Sequence, residues 1–148
     1  MKHDIRKLQL QDLRIGDWVQ EFLTIPNRLS TPMYVESIFE SGDVYLDFKD
    51  NTTDPFEAVI DNIRGIIIKP DALKHFGFKE IDHDVYELVC EKFKVRVVVI
   101  HVEKNNYVRA ILEHNDGGYQ FDDNITFIHQ LQHFVFDFAR QPLILNWE

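Results

Sequence analysis

The chain has 148 residues, of which 45% are hydrophobic and 28% are charged, so it can form an apolar core and is not wholly disordered. Its length accommodates one domain, or two small lobes that share a core, but not two full-sized domains. Lys and Arg number 16 against 25 Asp and Glu, a formal net charge of −9. An acidic protein is repelled by phosphate backbones, so the composition argues against DNA or RNA as a partner.

The N-terminal part, residues 12–70, has the pattern of four or five short strands joined by tight turns. Residues 13–19 contain a Gly-Asp turn that leads into a strand, and residues 33–39 are a second strand candidate. Residues 44–48 alternate between apolar and polar positions, the period of a half-buried strand, and residues 58–68 are largely apolar. Short strands at this density are typical of a small barrel, so we predict an SH3-like β-unit.

Residues 71–148 have a different pattern, which predicts a short helix, an antiparallel β-meander and a longer helix. The short helix covers residues 71–76, and Gly77 follows it at a position that tolerates positive φ. Four strands of the meander are predicted at residues 85–90, 93–102, 107–113 and 119–121. The predicted fold class is therefore α+β, in which the meander and its helix pack with the SH3-like unit as one compact protein.

The C-terminal helix is predicted over residues 125–140, where Pro142 ends it and residues 122–124 offer N-caps. One face of this helix is apolar and consists of Ile128, Leu131, Val135 and Phe138, to which Phe127 and Phe134 add apolar surface. The strand 93–102 is apolar on both faces near Val98, which is typical of a strand that runs into a covered centre. We therefore expect the helix to be the main element that covers the meander.

The most distinctive string in this helix is His-Gln-Leu-Gln-His at residues 129–133. Two His residues four apart on a helix can bind zinc, and Asp137 lies four residues further on as the candidate third ligand. Gln130 stands where a zinc peptidase has its catalytic Glu, and an amide cannot act as a general base. The simpler interpretation is a solvent-facing polar stripe that binds no metal and consists of His129, His133, Asp137 and Arg140.

Aromatic side chains on the predicted barrel strands are candidates for a binding surface. They are Trp18, Tyr34, Tyr45 and Phe48. Small β-barrels bind ligands through aromatic faces, although an aromatic stripe more often belongs to a core. The candidate binding residues are thus Trp18 and Tyr45 of the barrel, together with His129, Gln130, Gln132 and His133 of the helix. We predict no catalytic residue, no metal and no cofactor.

The remaining signals concern the compartment of the protein. Cys90 is the single cysteine and lies in an apolar stretch, so we expect a buried, inert thiol and no internal disulfide. The first residues lack the apolar segment of a secretory signal, and no apolar run approaches the roughly 20 residues of a membrane span. The sequence therefore predicts a cytoplasmic protein without a membrane partner.

Three segments of the chain have recognisable motifs. Residues 13–19 read Leu-Arg-Ile-Gly-Asp-Trp-Val, residues 66–78 contain Ile-Ile-Ile-Lys-Pro and Phe-Gly-Phe, and Ile-His-Gln-Leu-Gln-His begins at Ile128. In this order they resemble a family of uncharacterised proteins from phages and integrated elements of Bacteroides-type bacteria. The family pattern has Asn at the places of Asp17 and His133, and the second of these differences counts against a metal site on the helix. The resemblance implies a mobile-element origin and no established activity.

Three functions are compatible with these observations. The predicted one is a non-enzymatic interaction or adaptor protein of a phage or mobile element, with another protein as its partner. The second is a nucleic-acid-associated module that uses the SH3-like barrel, which the net charge disfavours. The third is a metal-dependent enzyme, which Gln130 disfavours, with its site at His129, His133 and Asp137. The sequence contains no signal for an oligomeric state.

Overall fold

The computed structural model describes residues 6–101, 106–114, 120–140 and 142–143. The chain divides into two compact units, residues 1–67 and residues 68–148. In their described residues both units are built from antiparallel β-sheet, and the second also contains two α-helices. The protein is therefore of the α+β class, as the alternating and helical periods of its sequence predict. In the described part of the chain, neither helix is long and apolar enough to cross a membrane.

The N-terminal unit is one curled antiparallel sheet. Its strands are β1 Trp18–Leu23, β2 Arg28–Leu29, β3 Met33–Ile38, β4 Asp43–Asp47, β5 Phe56–Val59 and β6 Ile63–Gly65. The strand order is β6-β1-β3-β4-β5, and the short β2 also pairs with β1. Because the last strand returns to pair with the first, the sheet curls into a half-barrel. Alternate residues of the strands fill its interior, namely Val19, Met33, Val35, Val44, Leu46, Ala58 and Ile63.

The largely apolar run at residues 58–68 is divided in the structure. A 3-10 turn at Ile60–Asn62 separates β5 from β6. The division is necessary because β5 pairs with β4 whereas β6 pairs with β1, on the other side of the sheet. An apolar run in the sequence does not show that its two halves have different partners.

The segment before β1 forms a turn that is bonded to β3. Gly16 has a φ of +95°, and the buried Asp17 carboxylate accepts a hydrogen bond from the backbone N–H of Arg14 at 2.8 Å. The N–H of Val35 donates to the carbonyl of Asp17, and the N–H of Gly16 donates to the carbonyl of Val35, both at 2.8 Å. Asp17 is thus a structural residue, and an Asn at this position could also supply the accepting oxygen.

The C-terminal unit is a five-stranded meander with two helices. Its elements are α1 Pro70–His75, β7 Lys79–Asp82, β8 Val85–Val89, β9 Phe93–His101, β10 Asn106–His114, β11 Gln120–Ile125 and α2 Ile128–Ala139. The sheet order is β11-β10-β9-β8-β7. Gly77 follows α1 with a φ of +92°, as predicted. The predicted strand ends at Val102 and Tyr119 lie outside the described residues.

The first strand of the meander, β7, was not expected from the sequence. It is an edge strand, and all four of its residues are exposed. Its sequence, Lys-Glu-Ile-Asp, therefore lacks the apolar alternation that identifies a half-buried strand.

Helix α2 packs on β9 and β10. Its buried apolar residues are Ile128, Leu131, Phe134 and Val135. Phe134 belongs to the packed face, and Phe138, which was also predicted there, is only half-buried. The facing strands contribute alternate buried residues, which are Val95, Val97 and Val99 of β9 and Val108, Ala110 and Leu112 of β10.

The start of α2 also differs from the prediction. Residues 122–124 are not N-caps, because they belong to β11 and pair with β10. The helix begins at Ile128 instead, and the side-chain oxygen of Gln130 accepts hydrogen bonds from the backbone N–H groups of Thr126 at 2.9 Å and Phe127 at 3.0 Å. Gln130 thus satisfies backbone donors at the entry to the helix.

Candidate interaction surface

The outer face of the N-terminal sheet carries three aromatic side chains from three neighbouring strands. Trp18 of β1 is opposite Tyr34 of β3, and their ring centroids are 5.6 Å apart in an edge-to-face arrangement. Tyr34 is in turn opposite Asp47 of β4. Tyr45 precedes Asp47 by two residues and so lies on the same face. The structure therefore brings two predicted binding residues, Trp18 and Tyr45, onto one face of one sheet.

A β-bulge in β3 adds one carboxylate group to this face. Val35 pairs with Leu46 and Ser37 pairs with Tyr45, which leaves Glu36 as the extra residue. The hydroxyl of Ser37 donates a hydrogen bond to the Glu36 carboxylate at 2.6 Å. Strands β3, β4 and β5 contain no Lys or Arg. We call this surface the acidic–aromatic face, which consists of Trp18, Tyr34, Glu36, Asp43, Tyr45, Asp47 and Glu57.

The carboxylates of the acidic–aromatic face act on its tyrosine hydroxyls. Burial raises the pKa of Tyr34, and the charges of Asp47 and Glu36, with a hydrogen bond to Asp47, raise it further. The charge of Glu57 is the main cause that raises the pKa of Tyr45, followed by burial and a hydrogen bond to Glu57. Both hydroxyls therefore keep their protons at neutral pH and donate hydrogen bonds to carboxylates, Tyr34 to Asp47 and Tyr45 to Glu57. The face combines negative charge with aromatic rings.

Exposed phenylalanine side chains lie on both sides of this sheet, and one of them contacts the acidic–aromatic face. The ring of Phe39 lies 4.9 Å from that of Tyr45 and is exposed. Phe48 and Phe56 stack with centroids 5.8 Å apart and are both exposed, but Phe56 pairs with the buried Leu46, so this stacked pair belongs to the other side of the sheet. Exposed aromatic rings that lie together are typical of a surface that is covered by a partner.

The prediction that α2 carries a solvent-facing polar stripe is wrong for the first residue of that stripe, His129. His129 is only 2% exposed. Its ring stacks on that of Phe127 at 5.7 Å and meets the ring of His133 edge-on at 5.6 Å. The helical period alone would expose His129, but in the structure its ring packs against Phe127, which precedes the helix. In the remainder of the stripe, His133 and Asp137 are half-buried and Arg140 is exposed.

The burial of His129 changes the interpretation of the whole His-Gln-Leu-Gln-His string. Leu131 belongs to the core, Gln130 is exposed but caps the helix, and Gln132 is half-buried. Among the described residues, no group of three or more His, Cys, Asp or Glu side chains is arranged so that it could hold a metal ion. The string is therefore largely accounted for by the packing and capping of α2.

A side-chain cluster that sequence spacing did not reveal lies at the β7–β8 turn. The Asp84 carboxylate oxygen Oδ2 is 2.8 Å from Nε2 of His101 and 3.3 Å from Nε2 of His83. Asp84 has a φ of +57°, and its carbonyl accepts a hydrogen bond from the N–H of Val99 at 2.8 Å. These contacts connect the turn to the end of β9. Because Asp84 and His101 are distant in the chain, only the β8–β9 pairing brings them together.

The single thiol lies between β8 and β9 in the structure. Cys90 is buried, and desolvation raises its pKa. Its N–H donates a hydrogen bond to the carbonyl of Phe93 at 2.7 Å. A buried thiol with a raised pKa is a poor nucleophile, so Cys90 belongs to the packing of the sheet.

The fold and surface described above define an α+β protein with an acidic, aromatic sheet face. No protein-family model, no curated protein and no solved structure matches the chain. The kind of partner that the protein binds is therefore inferred from the chemistry of its own surfaces.

Proposed function

We propose that the protein is a non-enzymatic, cytoplasmic adaptor of a phage or mobile element that binds a basic segment of another protein. The observation that carries this proposal is the acidic–aromatic face, where cross-strand register combines Trp18, Tyr34 and Tyr45 with carboxylates. The mobile-element origin is supported by the motif resemblance alone.

The N-terminal unit is the SH3-like barrel of this proposal. Its short antiparallel strands, the return of β6 to β1 and the 3-10 turn before β6 support the assignment. Small barrels of this type present aromatic side chains to extended peptides, which dock along the aromatic surface. The acidic–aromatic face supplies such aromatic side chains from three neighbouring strands.

The charges of this face favour a basic partner. A Lys or Arg side chain over a Trp or Tyr ring gains about 0.5–2 kcal/mol. An exposed ion pair with a carboxylate adds about 0–1 kcal/mol. A segment with a few basic residues would therefore gain several kcal/mol from these contacts, and because association itself costs free energy, we expect dissociation constants on the order of micromolar to millimolar.

The same charges disfavour nucleic acid as the ligand. Phosphate groups would approach Glu36, Asp47 and Glu57 without a neutralising Lys or Arg from β3, β4 or β5. We expect no binding to duplex DNA or to single strands at physiological salt, which a gel shift measures.

Fluorescence anisotropy with two labelled peptides tests the proposal. One peptide is extended and carries Arg residues spaced by Pro, and the other has Glu at each Arg position. The Arg peptide should bind, with an affinity that falls as salt is added, and the Glu peptide should not. Tyr45→Ala and Glu57→Lys should each weaken binding about tenfold.

The matched control for Glu57→Lys is Asp61→Lys, which makes the same charge change at an exposed residue of the 3-10 turn. It should change the affinity by no more than about twofold, because it alters only long-range charge. Equal binding of the Arg and Glu peptides, or equal effects of the two Lys variants, would contradict the proposal.

A further inference from the structure

The outer face of the C-terminal sheet is the second notable surface of the protein. Its positions alternate with the buried ones, such as Val95 and Val97 of β9. Strands β8, β9 and β10 form three cross-strand rows there, which are Val85–Val98–Arg109, Glu87–Arg96–Ile111 and Val89–Lys94–Glu113. We call these nine residues the second-sheet outer face. Four of the nine are aliphatic.

This content of aliphatic residues is unusual for a sheet face that water covers. The solvated side of an antiparallel sheet normally carries polar residues at the outward positions. Here Val89 is 67% exposed, and Val98 and Ile111 are only half-buried. Beside them lies a groove of about 290 Å³, lined by Gly77, Lys79, Ile81, Glu87, Leu88 and Val89. The aliphatic residues of the second-sheet outer face thus form an apolar patch of the kind that another protein surface covers.

The charges of the second-sheet outer face distinguish it from the rest of the protein. It holds three cations and two acids, whereas the whole chain has a net charge of −9. Arg96 is 3.4 Å from the Glu87 carboxylate, and Lys94 is opposite Glu113. Two copies of an acidic protein repel each other through their net negative charge. This repulsion is weakest when they meet through a surface that is not itself negative. The acidic–aromatic face, in contrast, would repel its own copy.

We propose that a second copy of this chain covers the second-sheet outer face, so that the protein is a two-fold symmetric dimer with two sheets packed face to face. A two-fold axis pairs a surface with itself, and a face with both charge signs can then oppose cations to acids. The aliphatic side chains of both copies would fill the space between sheets that pack about 10 Å apart. A purely acidic partner would place like charge against Glu87 and Glu113. A purely basic partner would place like charge against Arg96 and Arg109.

Sedimentation velocity of the full-length chain between about 1 and 100 μM tests this proposal. The mass should rise with concentration from 17.6 kDa towards twice that value. Val89→Lys and Ile111→Lys should each raise the dissociation constant of the dimer at least about tenfold, because each places a charge in the interface. Ile15→Lys is the matched control, since Ile15 is an aliphatic residue that is 72% exposed in the N-terminal unit.

The outcomes separate cleanly. A protein that remains monomeric at the highest concentration overturns the proposal, and it would leave a different protein as the occupant of the face. The proposal is also overturned if Val89→Lys leaves the dimer unchanged, or if Ile15→Lys weakens the dimer to the same extent. In either case the dimer contact lies on another surface. Because Val89 is exposed, Val89→Lys should fold and can test the proposal even if Ile111→Lys does not fold. Circular dichroism shows whether each variant is folded.

Discussion

Replacement of Leu131 with alanine tests whether α2 is the main element that covers the meander. Leu131 has no exposed surface, and α2 packs on β9 and β10. The change removes three carbon atoms, which costs about 2 kcal/mol of transfer free energy at roughly 0.8 kcal/mol per group. The cavity that remains adds to this cost, so the free energy of unfolding should fall by about 2–5 kcal/mol. This is a large fraction of the roughly 5–15 kcal/mol that holds a typical protein folded.

Urea denaturation followed by circular dichroism measures this loss as a lower transition midpoint with an unchanged slope. Phe136→Ala is the control on the same helix, because the Phe136 side chain is 49% exposed. Its effect should stay within about 1 kcal/mol. If Leu131→Ala lowers the free energy of unfolding no more than Phe136→Ala does, α2 is not the main element that covers the meander, and the packing argument is refuted.

Four further predictions follow from buried or charged groups. Because His129 is buried, His129→Ala should lower the free energy of unfolding by about 1–3 kcal/mol in the same urea assay, and a neutral variant would show that the residue is not packed. Asp17→Ala should cost about 1–3 kcal/mol in that assay through the lost turn hydrogen bond, whereas Asp17→Asn should cost clearly less because it keeps an accepting oxygen. Cys90 should react with iodoacetamide at pH 8 at least about tenfold more slowly in the native protein than in urea, because burial raises its pKa, and equal rates would refute the burial. Glu57→Gln should lower the pKa of Tyr45 towards its ordinary value, because a negative neighbour that disfavours tyrosinate is removed, and an unchanged ultraviolet titration would show that the two groups are not adjacent.

Most of the strands and helices follow from local patterns in the sequence. The alternation at residues 44–48 predicts β4 to within one residue, and Gly77 marks the end of α1 as expected. The exceptions have physical reasons. Strand β7 has no buried side and so no alternation, and residues 122–124 have the composition of helix caps but pair with β10 instead.

The candidate surface was predictable only in part. Trp18 and Tyr45 were recognised as aromatic residues on barrel strands, because their types and positions are visible in the sequence. The carboxylates around them were not recognised, because Glu57 reaches Tyr45 through the β4–β5 register and Glu36 through a bulge. Neither a register nor a bulge is encoded by residue spacing within one strand.

The sequence by itself determined the α+β class, the net charge of −9, the amphipathic core of α2 and the inward alternation of the strands. These properties depend on composition and on periods of two or 3.6 residues, which neighbouring residues define. Only the tertiary structure decided that His129 is buried, that Asp84 meets His101, and that carboxylates from β3, β4 and β5 share a face with three aromatic rings. These properties depend on which strands pair, in which register, and on what packs over a helix end. Such contacts join residues that are far apart in the chain, and local periodicity carries no information about them.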